Sequence, residues 1–191
     1  MEINDLKQFK SKHKSDLYFD YDIKKLNWFN IGGKSKLYFR PKSLRELQKF
    51  LKLYSNRGKI FVLGSGSNVL VKDDLYEGVT IKLSKNFSSL SKLNKDILIA
   101  GSSCLQKQLS AFAMENSISG FEFMNCIPGS IGGGIKMNSG CFGTEFKDRI
   151  ISLQCIDTNG NIKVIPSNKI NFEYRNTDLD ESLIFLSATF K

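Results

Sequence analysis

Apolar positions recur at helical spacing in two stretches of the chain. In the first stretch, Leu44–Tyr54, one face carries the apolar side chains Leu44, Leu47, Phe50, Leu51 and Tyr54, and the opposite face is charged. The second stretch runs from Leu105 to Asn116 and directs Leu105, Leu109, Phe112 and Ala113 to one side. Both patterns predict amphipathic helices that pack against a core.

The other apolar runs are shorter and predict strands. They are bounded by turn residues at Lys59–Leu63, Asn68–Val71, Val79–Leu83, Asp96–Ala100, Ile150–Asp157, Ile162–Ile165 and Leu183–Phe190. The Asn159-Gly160 pair between two of these runs is a strong signal for a hairpin. Helices mixed with short strands, without internal repeats, predict an α+β fold.

Composition shifts along the chain predict three parts. Residues 1–25 are polar and predict a loosely attached helix or arm. A turn at Glu77-Gly78 divides the rest into a small lobe over residues 26–78 and a larger lobe over residues 79–191. Ligand sites often lie between such lobes, which makes this division a candidate location.

The composition is that of an ordinary globular protein, with 41% hydrophobic and 25% charged residues. No apolar run is long enough for a membrane span and the polar start lacks a signal-peptide core, so we expect a cytoplasmic protein without membrane insertion. The net charge of +9 is spread over the chain, with no concentrated basic patch for nucleic acid. It fits a solvated surface, and secondarily an anionic small molecule.

Cysteine and histidine chemistry is limited in this sequence. No CxxC motif occurs among the four cysteines, which are Cys104, Cys126, Cys141 and Cys155. His13 is the single histidine. This spacing argues against a zinc site and a histidine-based triad, and free thiols in a reducing compartment are expected.

A first glycine cluster lies in "FVLGSGSNVLVKD", Phe61–Asp73. The third glycine of a dinucleotide fingerprint is replaced by Val69, and no Gly-Lys-Ser/Thr follows, so neither common phosphate loop matches. The residues alone favour a tight hairpin turn. An anion-binding nest of backbone N–H groups in a turn between strands is the alternative.

A second and denser cluster is "GFEFMNCIPGSIGGGIKMNSGCFG", Gly120–Gly143. Glycine costs about 0.5 to 1 kcal/mol relative to alanine inside a helix or strand. A flat cofactor lying along the main chain would explain so many glycines. A flexible loop or closely packed backbone would explain them as well.

Four motifs in order make the sequence resemble a known family. "NWFNIGGKSKLYFRP" from Asn27, "VLGSGSNVLVKD" from Val62, the second glycine cluster and "FEYRNT" from Phe172 are arranged as in the UDP-N-acetylenolpyruvoylglucosamine reductase (MurB) family, in its shorter type. The resemblance spans Leu26–Lys191. It implies a two-lobed FAD-binding fold of the vanillyl-alcohol oxidase (PCMH) type, with FAD between the lobes.

The resemblance also implies site residues. A pyrophosphate-binding turn is expected at Gly64, Ser65, Gly66, Ser67 and Asn68, and a second wall along FAD at Ile127, Pro128, Gly129, Ser130, Gly132, Gly133, Asn138 and Gly140. Tyr174 and Arg175 fall on the family's substrate-binding pair. The residues alone predict that Arg175 forms an ion pair at the surface.

The implied reaction is a hydride transfer from NADPH through FAD to the enolpyruvyl double bond of a UDP-sugar, which yields UDP-N-acetylmuramate for peptidoglycan and so serves cell shape and division. Arg175 is the implied catalytic residue, because hydride addition builds charge on the adjacent carboxylate and a guanidinium binds a carboxylate with two parallel hydrogen bonds.

The chain stops at Lys191, before the family's third domain with its proton-donating serine and assisting glutamate. The resemblance therefore implies the FAD-binding portion, incomplete for turnover. A flavin-binding module without catalysis and another oxidoreductase on the same fold are the alternatives. His13 lies outside the matched motifs, which argues against covalent flavin attachment.

Overall fold

A computed structural model describes residues 3–55 and 57–191, which form two compact units. The first comprises residues up to Asn86 together with Thr158–Asn161, and the second comprises Phe87–Asp157 and Ile162–Lys191. The division between the units therefore falls after Asn86. The predicted division near Gly78 is wrong. Gly78 lies inside a strand and pairs with Lys59 of a neighbouring strand, so it cannot be a linker.

The first unit contains a four-stranded sheet with two helices. Its elements are α1 (Ile3–His13), β1 (Asp16–Asp22), a 3-10 turn (Lys24–Leu26), β2 (Lys34–Arg40), α2 (Leu44–Tyr54), β3 (Lys59–Val62) and β4 (Tyr76–Ile81). The strand order is β1-β2-β4-β3, antiparallel for β1 with β2 and parallel for the other pairs.

The N-terminal segment belongs to this sheet and its core. Strand β1 pairs with β2 in a continuous register that sets Leu17 opposite Phe39. Leu6 and Leu17 are fully buried, and Phe9 packs edge-on against Phe39. The predicted helix is present as α1, but the expectation of loose attachment is wrong for these residues, because Leu6, Phe9 and Leu17 are buried in the core.

Helix α2 confirms the helix predicted over Leu44–Tyr54. Ser43 caps its N-terminus, because the Ser43 side chain accepts a hydrogen bond from the Glu46 backbone N–H at 3.2 Å. The Phe50 ring is buried and stacks on Phe39 of the sheet, with ring centroids 4.1 Å apart. The predicted apolar face thus covers the sheet.

The connection from β3 to β4 contradicts two local expectations. Residues 63–75 contain no strand, so the strand predicted at Asn68–Val71 is absent from this described segment. Since β3 and β4 run parallel, their connection cannot be a tight hairpin, which joins antiparallel strands only. The Gly64–Asn68 turn instead begins a long crossover.

The second unit is built on a five-stranded antiparallel sheet. Its strands are β5 (Leu90–Lys92), β6 (Leu98–Gly101), β9 (Ile150–Ile156), β10 (Ile162–Pro166) and β13 (Ile184–Phe190). Their order in the sheet is β10-β9-β13-β6-β5. The hairpin predicted around Asn159-Gly160 is confirmed by the pairing of β9 with β10. The predicted helix near Leu105–Asn116 is confirmed as α3 (Gln106–Glu115).

Short elements connect the main strands of the second unit. They are a 3-10 helix (Glu122–Cys126), α4 (Ile131–Lys136), the hairpin β7 (Gly140–Cys141) with β8 (Thr144–Glu145), the 3-10 turns Phe146–Asp148 and Ser167–Lys169, and the hairpin β11 (Phe172–Glu173) with β12 (Asn176–Thr177). Phe146 is fully buried and packs edge-on against Phe123 and Phe190. Among the described residues, no helix is long and apolar enough to cross a membrane.

Candidate functional site

Backbone N–H groups without internal partners characterise the Gly64–Asn68 turn. Within residues 3–55 and 57–191, the N–H groups of Gly64, Ser65, Gly66 and Asn68 donate no hydrogen bond to the protein. The hydroxyl oxygens of Ser65 and Ser67 lie 3.3 Å apart, so they add hydroxyl donors at the same place. Donors without protein acceptors in one short turn suit an anion.

A half-buried lysine lies beside this turn. The Lys82 ammonium donates a hydrogen bond to the Gly64 carbonyl at 2.7 Å. Burial, and secondarily the charge of Arg40, lower the pKa of Lys82. Lys82 belongs to none of the sequence motifs, because a lysine just after a strand has no local feature that separates it from the other surface lysines.

Gly66 is held against the backbone of the preceding motif. Its φ of 76° lies in the left-handed region, and a Cβ there would meet the Leu26 carbonyl and lie 2.7 Å from the Asn27 Cα. The Gly66 carbonyl accepts a hydrogen bond from Trp28 N–H at 3.0 Å. Two of the four resemblance motifs therefore pack directly together, and packing alone requires glycine at position 66.

Backbone donors in the second glycine cluster are largely used inside the protein. The N–H groups of Ile131 and Gly132 bond to the carbonyls of Cys104 and Ser102, at 2.8 and 2.9 Å. The Ser130 side chain caps α4 by accepting a hydrogen bond from Gly133 N–H at 3.3 Å. This segment is thus tied to the loop before α3. Because most of its N–H groups are used within the protein, a ligand would contact its surface and would find few free N–H groups there.

The glycines of α4 differ in what surrounds them. A Cβ on Gly134 would meet the Phe146 ring, so close packing requires this glycine. On Gly133, which is exposed, the nearest atom to such a Cβ would be the Ser130 Oγ at 3.5 Å. Of the two explanations for the cluster, closely packed backbone accounts for Gly134 and leaves Gly133 available to a ligand.

Three neighbouring residues predicted along the cofactor differ in exposure. Pro128 is exposed, and Ile127 and Gly129 are partly exposed. The Gly129 carbonyl accepts a hydrogen bond from Gln106 N–H at 3.0 Å. Their cofactor contacts stay a prediction.

Asn138 is fully buried and directs its polar atoms into the protein. Its side-chain amide donates to Glu145 Oε2 at 2.9 Å and to the Glu173 carbonyl at 3.0 Å, and its side-chain oxygen accepts from Lys147 N–H at 3.1 Å. The hydrogen bond between Glu145 and Lys147, followed by that from Asn138, lowers the pKa of Glu145. The arrangement is one that joins chain segments, in contrast to the direct cofactor contact expected from the resemblance.

Tyr174 and Arg175 form the two-residue turn of the β11–β12 hairpin. Arg175 has a φ of 57°, which is uncommon for a residue with a side chain. Its guanidinium donates to the Gly140 carbonyl at 3.1 Å and lies 5.1 Å from the centre of the Tyr174 ring. Both side chains are exposed, so this charge is accessible to solvent.

The hairpin that carries Arg175 is fastened to the end of α4. Thr177 donates from its hydroxyl to the Lys136 carbonyl at 3.4 Å, and the Lys136 ammonium donates to the Leu179 carbonyl at 3.0 Å. Together with the bond from Asn138 to Glu173, these contacts bring Gly140, Asn138 and Arg175 into one region of the second unit.

The four free cysteines are expected to fall into two classes of reactivity. Cys104 and Cys155 are buried, and burial raises the pKa of Cys104 to about 11 and also raises that of Cys155. Cys126 is exposed and Cys141 is partly exposed. The hydrogen bond with Cys141 raises the pKa of Cys126, but both thiols remain accessible to a reagent. Iodoacetamide should therefore modify Cys126 and Cys141 in the folded protein and the other two only in denaturant. Peptide mass spectrometry checks this, and equally fast labelling of Cys104 would contradict the buried position.

Known structures define the class to which this fold belongs. A VAO-type flavoprotein from Myceliophthora thermophila superposes with a TM-score of 0.59 at 17% identity, covering 83% of this chain and 32% of that one. UDP-N-acetylenolpyruvylglucosamine reductase (MurB) from Thermus caldophilus superposes with a TM-score of 0.78 at 24% identity, covering 93% of this chain and 61% of that one. The fold is the FAD-binding fold of VAO-type flavoproteins, as predicted.

Sequence comparison identifies the family. The FAD binding domain family matches residues 35–165, and the chain belongs to it. The UDP-N-acetylenolpyruvoylglucosamine reductase of Pelagibacter ubique is 56% identical over 191 residues, which are all of this chain and 63% of that protein. The predicted resemblance is thereby confirmed, and the chain spans about three fifths of the length of the curated relatives that it matches.

Proposed function

We propose that this chain is the FAD-binding portion of a UDP-N-acetylenolpyruvoylglucosamine reductase. The observation that carries the proposal is the Gly64–Asn68 turn, in which the backbone N–H groups of Gly64, Ser65, Gly66 and Asn68 lack acceptors within the described residues. Such groups cost free energy unless a ligand or water accepts their hydrogen bonds. The names of the relatives supply the reaction, and the family match supplies the cofactor class.

The residues of this chain fit FAD in two places. In the first unit, Ser65, Gly66 and Asn68 offer donors to the pyrophosphate group. In the second unit, the exposed backbone at Gly133 leaves open the space that a Cβ would fill, which suits contact with a flat ring system. When bound, FAD supplies hydride transfer, a chemistry that no amino-acid side chain provides.

Arg175 and Tyr174 are proposed to bind the substrate. Addition of hydride to an enol ether conjugated with a carboxylate shifts negative charge onto that carboxylate. The Arg175 guanidinium stays protonated throughout, so it stabilises this charge without a proton transfer. Its exposed position in a tight turn leaves donors free beyond the bond to Gly140.

NADPH is the proposed hydride donor, and a UDP-sugar carrying an enolpyruvyl ether is the proposed substrate. The product would be UDP-N-acetylmuramate, a precursor of peptidoglycan, so that the reaction serves cell wall biogenesis in the cytoplasm. Protonation of the intermediate is assigned to no residue of this chain.

The visible absorption spectrum of the purified chain tests the proposal. After addition of FAD and gel filtration, we expect the flavin bands to elute with the protein and to separate from it on denaturation. Release also excludes covalent attachment of the kind seen in some flavin oxidases. A folded protein that elutes without flavin would overturn the proposed cofactor site.

A further inference from the structure

A cation without a carboxylate partner lies beside the Gly64–Asn68 turn. Among the described residues, no carboxylate oxygen lies within 4.0 Å of the Lys82 ammonium, and its hydrogen-bond partner is the Gly64 carbonyl at 2.7 Å. Lys82 is half-buried. Partly desolvated charges are normally paired, so this one lacks its expected counter-charge.

The neighbouring groups increase the positive potential and do not neutralise it. The charged group that acts on Lys82 is Arg40, which repels it and, after burial, lowers the pKa of Lys82. Arg40 itself makes no ion pair within residues 3–55 and 57–191. The adjoining turn contributes the N–H groups of Gly64, Ser65, Gly66 and Asn68, which have no acceptor among the described residues. It contributes no carboxylate, because its residues are glycine, serine and asparagine. The region thus contains hydrogen-bond donors and cations in excess.

We propose that Lys82 supplies the counter-charge for a diphosphate group bound at the Gly64–Asn68 turn, with Arg40 reinforcing the local field. This inference rests on the proposed FAD site and adds a residue that the sequence analysis did not include. An ammonium has three donors, and the Gly64 carbonyl takes one. The others serve the phosphate oxygens. The same bond to Gly64 holds the turn in position from one side.

A glutamine substitution separates the charge from the hydrogen bond. Lys82→Gln can still donate to the Gly64 carbonyl but carries no charge, whereas Lys82→Met loses both. If charge is the main contribution, both variants should bind FAD and inorganic pyrophosphate about 10- to 100-fold more weakly than the unaltered protein, the range for a hydrogen bond to a charged group. Lys59→Gln is the matched control, because Lys59 is an exposed lysine of the same sheet.

Isothermal titration of each variant with pyrophosphate and with FAD distinguishes the outcomes. Weakening in both Lys82 variants, with Lys59→Gln unchanged, supports the inference. Lys82→Gln binding as tightly as the unaltered protein would reduce Lys82 to a positioning role and overturn it. Binding of pyrophosphate but not FAD, still dependent on Lys82, would retain the anion site and reject the proposed cofactor.

A measurement on the unaltered protein guards against variants that fail to fold. The NMR signals of the Lys82 ε-methylene group should shift on addition of pyrophosphate, and those of Lys59 should not. Failure of pyrophosphate to shift the Lys82 signals would overturn the inference.

Discussion

Replacing Gly66 with alanine is expected to destabilise the first unit by about 2 to 4 kcal/mol. The left-handed backbone conformation accounts for part of this cost, since φ is 76°. Overlap of the new Cβ with the Leu26 carbonyl accounts for the rest, because the backbone at Gly66 lies so close to the backbone at Leu26 that no side chain fits between them. Unfolding in urea can be monitored by the fluorescence of Trp28, the one tryptophan, which lies in this unit.

Gly133→Ala is the matched control for this prediction. Its Cβ would find the Ser130 Oγ at 3.5 Å as its nearest atom, and alanine favours a helix over glycine by about 1 kcal/mol. Because Gly133 lies in the second unit, its unfolding is followed by far-ultraviolet circular dichroism, and we expect the free energy of unfolding to be unchanged or higher. Gly66→Ala with the stability of the unaltered protein would contradict the close packing of the two motifs.

These two glycines also separate folding from binding. Loss of FAD from Gly66→Ala would not identify a phosphate contact, because displacement of the turn suffices to explain it. Loss of FAD from a fully stable Gly133→Ala would indicate contact with the cofactor. The reason for each glycine therefore has to be established before its substitution is interpreted.

Local patterns predicted the elements whose stabilising contacts follow from their own spacing. Helix α2 matches its predicted bounds because one face is apolar and Ser43 caps it. The β9–β10 hairpin follows from the Asn159-Gly160 turn and its flanking alternation. In both cases the complete signal lies within one short continuous segment of the sequence.

Non-local pairing was not available from the same patterns. The Gly64–Asn68 turn has the composition of a hairpin, but the partner of β3 is β4, which runs parallel. The strand Asp16–Asp22 was assigned to a polar arm, because the pairing that buries Leu17 involves β2. Turn composition specifies local backbone geometry and not the strand that the chain joins next.

The roles of individual residues in the candidate site were also not predictable from local patterns. Motif comparison selected Asn138 for the cofactor, but its amide binds Glu145 and the Glu173 carbonyl, which a sequence cannot reveal. Conversely, Lys82 has no motif, and only the three-dimensional arrangement sets its ammonium beside the Gly64 carbonyl. Motifs locate the region of a site, and the division of roles within it depends on contacts.

Replacing Arg175 with alanine is expected to slow the reoxidation of reduced flavin by the enolpyruvyl sugar by about 100- to 1000-fold, the usual effect of removing one donor to a developing oxyanion. The measurement needs a chimera in which this chain is followed by the C-terminal part of the Pelagibacter ubique relative. Stopped-flow absorbance follows reoxidation, and FAD affinity measured in parallel should stay unchanged. Reoxidation at the original rate would remove Arg175 from the catalytic role.

The turn conformation of Arg175 supplies a sharper version of this test. At a φ of 57°, alanine retains the backbone strain of arginine, whereas glycine relieves it by about 1 to 2 kcal/mol. Glycine also increases the freedom of the unfolded chain, so Arg175→Gly should unfold within about 1 kcal/mol of the unaltered protein. A stable Arg175→Gly variant that reoxidises as slowly as Arg175→Ala would assign the loss to the missing guanidinium. Recovery of the rate in the glycine variant would instead assign it to a displaced turn, because glycine restores the backbone and not the charge.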